Sequence, residues 1–369
     1  MAWIIALSAA LWCVVSVSCI KEEPASPYAD IEDFQLPGDI MMARATINRE
    51  QIAVFVRKGA DLTSIAPHIT LSEGAAVQPE AGVAQDFSRQ VTYTVTAADG
   101  KHSRVYTVQL TSVPLHAYRF EQWEMLDRTK AYETPVEYDR EGKLSTPWDS
   151  SNKGISIYQQ YAAPSLYPIH RTTHSAGGQY AAEMLTLAGP GSMGIVNIPV
   201  VAGSLFTGVL SPLNALKNPL LVTEFGQPFN EKPLRMKGKY IYEPGTGNYI
   251  DSHGAARPEK RDSCAVYAVF FRSDQTLERL NGTNILTHPN IVAVAMMPPE
   301  GRAGSGGGGF VDFDLPFVYD DAHVTDLGRN AYKLAIIFSS SFMGDYYEGT
   351  PGSRLVVDEV EIVTEGEEK

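Results

Sequence analysis

Five side chains beyond residue 140 are candidates for binding a sugar, because their types and sequence context suit that chemistry. Trp148 lies in a segment rich in Pro and Ser, and Asn152 follows it four residues later. An aromatic ring can stack on the C–H face of a pyranose, whereas amide and carboxylate groups can bind its hydroxyl groups. We therefore predict a ligand-binding surface formed by Trp148, Asn152, Tyr240, Tyr242 and Asp262. A Trp in a β-sandwich often fills the core instead, and that alternative stays open.

Carboxylates in the same part of the chain raise the possibility of glycoside hydrolysis. That reaction needs two carboxyl groups roughly 5 to 10 Å apart across a cleft. Asp262, Asp345 and Glu348 are conceivable members of such a pair, although the chain has 43 acidic residues from which pairs can arise. The signatures of serine hydrolases, zinc proteases and dithiol redox sites are absent from the sequence. Binding without catalysis is therefore the favoured prediction, and the catalytic residues stay unassigned.

Net charge excludes one class of partner. The 369 residues carry a formal charge of −13, and their basic side chains are scattered. Binding to a phosphate backbone needs a basic stripe that releases counterions, and the densest basic cluster, Arg257 to Arg261, contains Glu259. We predict no nucleic-acid partner.

The first nineteen residues form an uncharged, apolar run that ends in small residues and Cys19. This composition indicates a secretory signal peptide. The context of Cys19 resembles a bacterial lipobox, although Ser16 replaces the usual Leu. We predict that Cys19 is lipidated and that residues 20–30 form a tether. Cys264 is then the only other cysteine of the mature chain, so no intrachain disulfide can form.

The elements that would position these residues are short strands. Between residues 31 and 113, Val91 to Thr96 and Val105 to Leu110 alternate polar and apolar residues on either side of Asp99-Gly100, which predicts a hairpin. Several such segments in about 80 residues predict an Ig-like β-sandwich there. More strand segments and few helical ones predict a second sandwich over residues 114–369.

Two apolar segments close the chain, Leu334 to Phe338 and Leu355 to Val363. Period-2 counting predicts that Val356, Val360 and Ile362 share a buried face with Asp358. A buried carboxylate needs an Arg, backbone N–H groups or a cation as its partner.

These closing residues also carry a resemblance to a known family. The pattern includes Ser339-Ser340-Ser341, Gly344-Asp345, Gly349, Gly352-Ser353 and Leu355-x-Val357-Asp358-x-Val360, preceded by Phe120-Glu121-x-Trp123, Trp148-x-x-Ser151-Asn152, Gly226-x-Pro228-Phe229, Tyr240-x-Tyr242-x-Pro244-Gly245 and Leu315-Pro316-Phe317-x-Tyr319. Over about 250 residues it resembles the putative carbohydrate metabolism domain of exported Bacteroidetes proteins. The resemblance implies a jelly-roll β-sandwich of the carbohydrate-binding kind, and residues 31–113 resemble the Ig-like modules that precede such domains.

The pairing of Glu121 near the first strand with Asp358 in the last strand is similar to that in many carbohydrate-binding sandwiches. There, an early acidic residue and a late Asp help to hold a structural Ca²⁺ ion, a cation that prefers oxygen ligands. The resemblance thus implies a possible calcium site at Glu121 and Asp358. A salt bridge or a hydrogen-bonded carboxylate is the alternative.

Together these features predict a surface-exposed outer-membrane lipoprotein that presents a glycan-binding jelly-roll module for polysaccharide capture. A glycoside hydrolase with an acidic pair and a non-catalytic structural adhesin are the alternatives. Polysaccharide or oligosaccharide is the expected partner.

Overall fold

The computed structural model describes residues 25–365, except for short gaps at 38–39, 43–44, 49, 58, 113, 126–131, 139–143, 146, 160, 194–195, 212–217, 275–276, 321–326 and 328–330. The predicted signal peptide, the predicted lipidation site Cys19 and the first part of the predicted 20–30 tether lie outside the described residues. In the described part of the chain, no helix has both the length and the apolar character needed to span a membrane.

The N-terminal sandwich uses seven strands. They are β1 (Ile31–Gln35), β2 (Thr46–Asn48), β3 (Gln51–Phe55), β4 (His68–Leu71), β5 (Ala76–Gln78), β6 (Val91–Thr96) and β7 (Ser103–Thr111). Strands β1 and β4 form one sheet, and the other has the order β2-β3-β7-β6-β5. The predicted hairpin is β6 and β7, which are antiparallel, and Gly100 has the positive φ of 66° that its turn requires. Phe34, Tyr93 and Tyr106 are buried in the core between the sheets.

The C-terminal sandwich contains the remaining strands and two single-turn α-helices. Its first strands are β8 (Ala117–Tyr118), β9 (Gln122–Met125), β10 (Glu133–Tyr138), β11 (Leu144–Ser145), β12 (Trp148–Ser150), β13 (Ile169–Thr172), β14 (Ala181–Leu185), β15 (Leu187–Met193), β16 (Val196–Val201), β17 (Ser204–Leu210), β18 (Thr223–Phe225) and β19 (Gln227–Pro228). The later strands are β20 (Pro233–Glu243), β21 (Tyr249–Ile250), β22 (Ala256–Arg257), β23 (Ala265–Ser273), β24 (Leu280–Asn281), β25 (Ile291–Met296), β26 (Val311–Pro316), β27 (Val318–Tyr319), β28 (Ala331–Ser339) and β29 (Arg354–Thr364). The helices are α1 (Ser151–Ile155) and α2 (Pro299–Ala303), with 3-10 turns at Pro164–Leu166, Pro219–Leu221 and Gly344–Tyr346.

Two sheets enclose the main core of this domain. The nine-stranded sheet has the order β24-β18-β17-β28-β23-β25-β27, with β12 on β17 and β19 on β28. The six-stranded sheet has the order β13-β14-β29-β20-β26, with β8 on β29. Strand β23 is buried on both faces, which its run of Val, Ala, Tyr and Phe permits. With 49% strand and 6% helix, the fold confirms the all-β prediction.

Strand β29 lies in the middle of the six-stranded sheet, between β14 and β20, but the predicted sharing of one face was wrong. Leu355 and Val357 point into the main core, whereas Val356 lies on the opposite face. A β-bulge follows Asp358, where Glu359 has a φ of 51° and the pairing with β20 shifts register. One extra residue in a strand reverses the alternation, so Val360 returns to the core beyond the bulge.

Candidate functional site

The structure places the five predicted ligand-binding side chains inside the protein. Trp148 is fully buried, and its ring packs against Tyr118, Phe120 and Phe338 with centroids 5.1, 5.5 and 5.9 Å away. The ring has no free face on which a sugar could stack. Trp148 therefore fills the core, which was the alternative to ligand binding, and its burial does not fit a role in stacking on a sugar.

Asn152, Tyr240 and Tyr242 also have structural positions. The Asn152 amide nitrogen donates to Ile169 O at 2.7 Å, and the Ile169 N–H donates to the amide oxygen at 3.0 Å. This pair of bonds joins α1 to β13. Tyr240 is buried and donates to Gly301 O at 3.1 Å, while Tyr242 is 1% exposed. The predicted ligand surface therefore does not form from these side chains.

Asp262 is the centre of a buried polar network that links the loop 340–353 to the rest of the domain. Its Oδ2 accepts hydrogen bonds from Ser341 Oγ at 2.6 Å, Ser353 Oγ at 2.7 Å and the Thr350 N–H at 2.7 Å, and its Oδ1 accepts one from the Ser263 N–H. Burial raises the pKa of Asp262, although these four donors oppose the shift. With no access to solvent, Asp262 positions the loop and is not placed to touch a ligand.

The serine run beside Asp262 extends this network. Thr186 Oγ1 lies 2.8 and 2.7 Å from the hydroxyl oxygens of Ser340 and Ser341, and Ser340 Oγ accepts a bond from the Gly203 N–H at 3.0 Å. Buried hydroxyl groups are costly unless they are bonded in this way. The Ser339-Ser340-Ser341 motif therefore stabilises the junction between the two sheets.

Glu121 and Asp358 both contact the loop between β13 and β14, and their partners there are backbone groups. Asp358 Oδ2 accepts from the N–H groups of Ala176 and Gly177 at 2.7 and 3.0 Å. Glu121 accepts from the N–H groups of Gln179 at 2.9 Å and Tyr180 at 3.3 Å. The two carboxylates thus hold successive turns of the loop between β13 and β14.

A calcium ion does not fit this arrangement. The N–H groups present their positive ends to both carboxylates, in the positions that a cation would need. Gly178 has a φ of +62°, and a Cβ there would lie 2.1 Å from Glu121 Oε1, so the loop backbone fills the space beside that carboxylate. No group of three or more metal-binding side chains occurs among the described residues. The carboxylates act as backbone caps, the alternative to the calcium site.

Chelation is therefore expected to leave the stability of the protein unchanged. We predict the same melting temperature with excess EDTA and with added Ca²⁺, measured by differential scanning calorimetry. Asp358→Asn should lower the free energy of unfolding by about 2 kcal/mol, because both carboxylate oxygens accept bonds from N–H groups, those of Ala176 and Gly177 at Oδ2 and that of Glu359 at Oδ1, and the amide nitrogen cannot accept at one of the two positions. Asp314→Asn, in an exposed ion pair with Arg235, is the matched control and should change little. A melting temperature that falls with EDTA in the wild type but not in Asp358→Asn would show that a metal ion binds at Asp358 and would contradict this prediction.

The outer face of the six-stranded sheet is covered by cross-strand ion pairs. Arg354 binds Glu183 at 2.8 Å and Glu243 at 3.3 Å. The other pairs are Arg235 with Asp314, Lys239 with Asp312, and Arg119 with Glu359. Their charges neutralise one another, and such exposed pairs are typical of a solvated face.

A cluster of tyrosines instead lies at one end of the sandwich. Strands β12 and β28 end there and β17 begins there, since Ser150 pairs with Leu205 and Ser204 pairs with Ser339. The segment 151–168 and the loop 340–353 therefore emerge side by side. We call this end of the domain the loop end.

Five tyrosines form this cluster, which runs from the interior to the surface. Tyr132 and Tyr167 are buried with ring centroids 5.5 Å apart, and Tyr161 packs edge-on against Tyr167 at 4.9 Å. Burial raises the pKa of Tyr158, and two further phenols, those of Tyr161 and Tyr347, are near enough to add to the shift. They stay protonated at neutral pH and can donate hydrogen bonds.

Further apolar and polar groups surround the outer tyrosines. Tyr346 is 45% exposed beside them, and exposed apolar side chains at the same end are Ile157, Leu166 and Met343. Tyr347 has the left-handed conformation, with φ of 60° and ψ of 31°, which is uncommon and strained for a non-glycine residue. The loop thus holds an aromatic side chain at the surface at a conformational cost.

Two carboxylates share the loop with these tyrosines. The surrounding protein raises the pKa of Asp345 to about 6. Glu348 accepts a hydrogen bond from the Tyr249 hydroxyl at 3.1 Å and lies 3.6 Å from Lys260 Nζ. The ammonium group of Lys260 also lies 5.1 Å from the centroid of the Tyr249 ring. Asp345 and Glu348 are therefore the sequence-predicted acidic candidates that the structure brings to this surface, whereas Asp262 lies beneath it.

Three comparisons place the chain among known proteins. The family model described as "Putative carbohydrate metabolism domain" matches residues 119–363, and the model described as "SGBP, N-terminal" matches residues 31–110. No curated protein matches the chain significantly. Both matches cover the parts that the sequence assigned to the jelly-roll and Ig-like modules.

Two solved structures described as putative glycoside hydrolases are similar to the chain. The one from Bacteroides thetaiotaomicron VPI-5482 shares 33% identity with a TM-score of 0.81, covering 93% of this chain and 99% of that one. The one from Bacteroides vulgatus ATCC 8482 shares 26% identity with a TM-score of 0.62, covering 69% of this chain and 100% of that one. The resemblance seen in the sequence is confirmed, and the chain has a carbohydrate-associated domain. This protein belongs to the putative carbohydrate metabolism domain family.

Proposed function

We propose that the protein binds glycans at the loop end of its C-terminal sandwich, through Tyr158, Tyr161 and Tyr347 of the tyrosine cluster and the adjacent Tyr346. The observation that carries this proposal is that the segment 151–168 and the loop 340–353, which hold these side chains, emerge side by side at one end of the sandwich. Tyrosine offers a flat apolar ring with few rotatable bonds and a hydroxyl group at its tip. These two features match the C–H faces and the hydroxyl groups of a sugar.

The carboxylates at this surface complement the tyrosines. A sugar hydroxyl can donate to Asp345 or Glu348, while the phenol hydroxyls can donate to ring and glycosidic oxygens. One of the two segments that form the surface, the loop 340–353, is fixed by the buried Asp262 network. A preformed surface lowers the conformational entropy lost on binding.

A second candidate function is glycoside hydrolysis at the same surface. A general acid works best with a pKa near the operating pH, and the pKa of Asp345 is raised to about 6. Glu348 is three residues away on the same loop and would be the second carboxylate. Burial also raises the pKa of Glu137 to about 7, but Glu137 is 4% exposed and accepts from the N–H groups of Arg119 and Phe120. Glu137 is therefore not accessible to a substrate.

The two candidates are separated by binding and product analysis on the same sample. The mature full-length chain is applied to a glycan array, and each bound glycan is then incubated with the protein and assayed for new reducing ends. We expect binding without reducing-sugar release. Release that is lost in Asp345→Asn would favour the hydrolase, and no binding to any glycan would leave a structural adhesin.

We also propose that lipidated Cys19 anchors the protein to the outer membrane, with the sandwich presented at the cell surface. The match of residues 31–110 to an SGBP N-terminal domain supports this arrangement. Incorporation of a labelled fatty acid in the wild type, and its loss in Cys19→Ser, would test the anchor.

A further inference from the structure

Arginine side chains of the C-terminal sandwich are mostly paired with carboxylates within 4.0 Å. The pairs are Arg119 with Glu359, Arg171 with Glu133, Arg235 with Asp314, Arg257 with Asp251, Arg272 with Asp274, Arg279 with Glu224, and Arg354 with Glu183. Within the described ranges, Arg302 and Arg261 are the arginines of this domain that have no such partner. An unpaired guanidinium beside a binding surface is available to a ligand.

Arg302 is partly buried, and its guanidinium group stacks on an aromatic ring while one of its donors has no hydrogen-bond partner in the part of the chain that the structure describes. Its guanidinium carbon lies 4.5 Å from the centroid of the Phe342 ring. Its Nε is buried and makes no hydrogen bond to any described residue. A buried donor without a partner is costly, and stacking on an aromatic face leaves the in-plane N–H groups free. The guanidinium group of Arg302 is thus held against Phe342, and its N–H groups can still donate hydrogen bonds to a ligand.

Arg261 lies close to Arg302 because backbone bonds connect their segments. The Cys264 N–H donates to Arg302 O at 2.9 Å, three residues after Arg261. The Phe342 N–H donates to Ser263 O at 2.6 Å, so the loop that carries Phe342 is held against the same segment. Arg261 is exposed. Arg261 is therefore two residues from the backbone contact of Phe342, the ring on which Arg302 stacks.

This pair of arginines adjoins the proposed glycan surface. Phe342 is four residues before Tyr346 on the loop 340–353, and Asp345 lies between them. The nearby Lys260 is engaged by Glu348, so it does not add a free cation.

We propose that Arg302, supported by Arg261, forms an anion-binding subsite for the acidic substituent of a sugar, so that the protein selects glycans carrying carboxylate or sulfate groups. This inference rests on the proposed glycan-binding function. Guanidinium binds such planar or tetrahedral oxyanions through two parallel N–H bonds, which an ammonium cannot reproduce. The tyrosines then contact the sugar ring, and Arg302 binds its acidic substituent.

The test compares three sets of oligosaccharides of equal length on the mature full-length protein. They are oligogalacturonides, the same oligogalacturonides as neutral methyl esters, and chondroitin sulfate fragments. We expect the acidic sets to bind at least about tenfold more tightly than the esters, with an affinity that falls as salt concentration rises. Arg302→Gln should remove this preference, Arg302→Lys should restore it only in part, and the paired Arg272→Gln should leave it intact.

Each outcome decides the inference. A preference for carboxylate over sulfate, or the reverse, identifies the acidic group. Equal binding of acids and esters, or an acid preference that survives in Arg302→Gln, overturns the subsite while the glycan-binding function stands. Failure of all three sets and of a neutral glycan array would contradict both proposals. Unchanged circular dichroism and melting temperature of Arg302→Lys ensure that a loss reflects recognition.

Discussion

Asp262→Ala is expected to destabilise the C-terminal sandwich more than any surface substitution in it. The change leaves two hydroxyl groups and two N–H groups of Ser341, Ser353, Thr350 and Ser263 without their buried acceptor. Each unsatisfied buried donor costs roughly 1 to 3 kcal/mol, so the free energy of unfolding should fall by about 4 kcal/mol. For a domain of this size, that corresponds to a drop of about 10 °C in melting temperature.

Urea denaturation followed by circular dichroism measures this effect. Asp312→Ala is the control, because Asp312 is exposed and pairs only with Lys239 on the sheet surface. It should alter the free energy of unfolding by less than about 1 kcal/mol. If Asp262→Ala were no less stable than Asp312→Ala, the buried network would not be what positions the loop 340–353.

Removal of aromatic rings at the loop end is expected to weaken glycan binding strongly while the fold persists. Tyr161→Ala removes a ring of the tyrosine cluster, and Tyr346→Ala removes the exposed ring next to Tyr347. Truncation of an aromatic side chain at the centre of a binding surface typically costs 2 kcal/mol or more, which is a loss of about 30-fold in affinity. Isothermal titration calorimetry with the best glycan from the array measures the loss.

Two controls make this prediction specific. Tyr28→Ala removes an exposed tyrosine that precedes the N-terminal sandwich and should leave the affinity unchanged. Trp148→Phe alters the core and is expected to lower stability, while a protein that remains folded keeps its affinity. If Tyr346→Ala and Tyr161→Ala bound the glycan as tightly as the wild type, the ligand surface would lie elsewhere.

The fold could be predicted from the sequence because its signals are local. Alternation in Val91 to Thr96 and the Asp99-Gly100 turn specify the hairpin, and the apolar run Leu355 to Val363 specifies a buried strand. The bulge at Glu359 could not be predicted, since counting with period 2 assumes an uninterrupted ladder. That assumption placed Val356 and Val360 on one face, and the structure places them on opposite faces.

The site could be predicted only in part because residue types do not reveal burial. Trp148 and Tyr242 have the chemistry of a sugar platform, but their segments pair in or beside the central strands and place them inside the core. The tyrosine cluster draws on positions 132, 158, 161, 167 and 347, which only tertiary structure brings together. The Tyr346-Tyr347 pair in a loop that contains Gly344 and Gly349 was the available signal.

The acidic candidates Asp262, Asp345 and Glu348 also differ in how much the sequence reveals about their positions. Asp345 and Glu348 lie three residues apart on one loop, so the sequence alone shows that they are neighbours. Asp262 is distant in sequence from Ser341 and Ser353, so its role as a buried acceptor depends on how β23, β28 and β29 meet at the loop end. The backbone partners of Glu121 and Asp358 likewise belong to a loop whose path the sequence did not indicate.

The most direct measurement is a crystal structure of the mature protein with its tightest-binding oligosaccharide. We predict electron density for the sugar at the loop end, with one sugar ring in contact with Tyr346 or Tyr161 and an acidic substituent beside Arg302. Sugar density on the ion-paired outer face of the six-stranded sheet, or against the N-terminal sandwich alone, would contradict it.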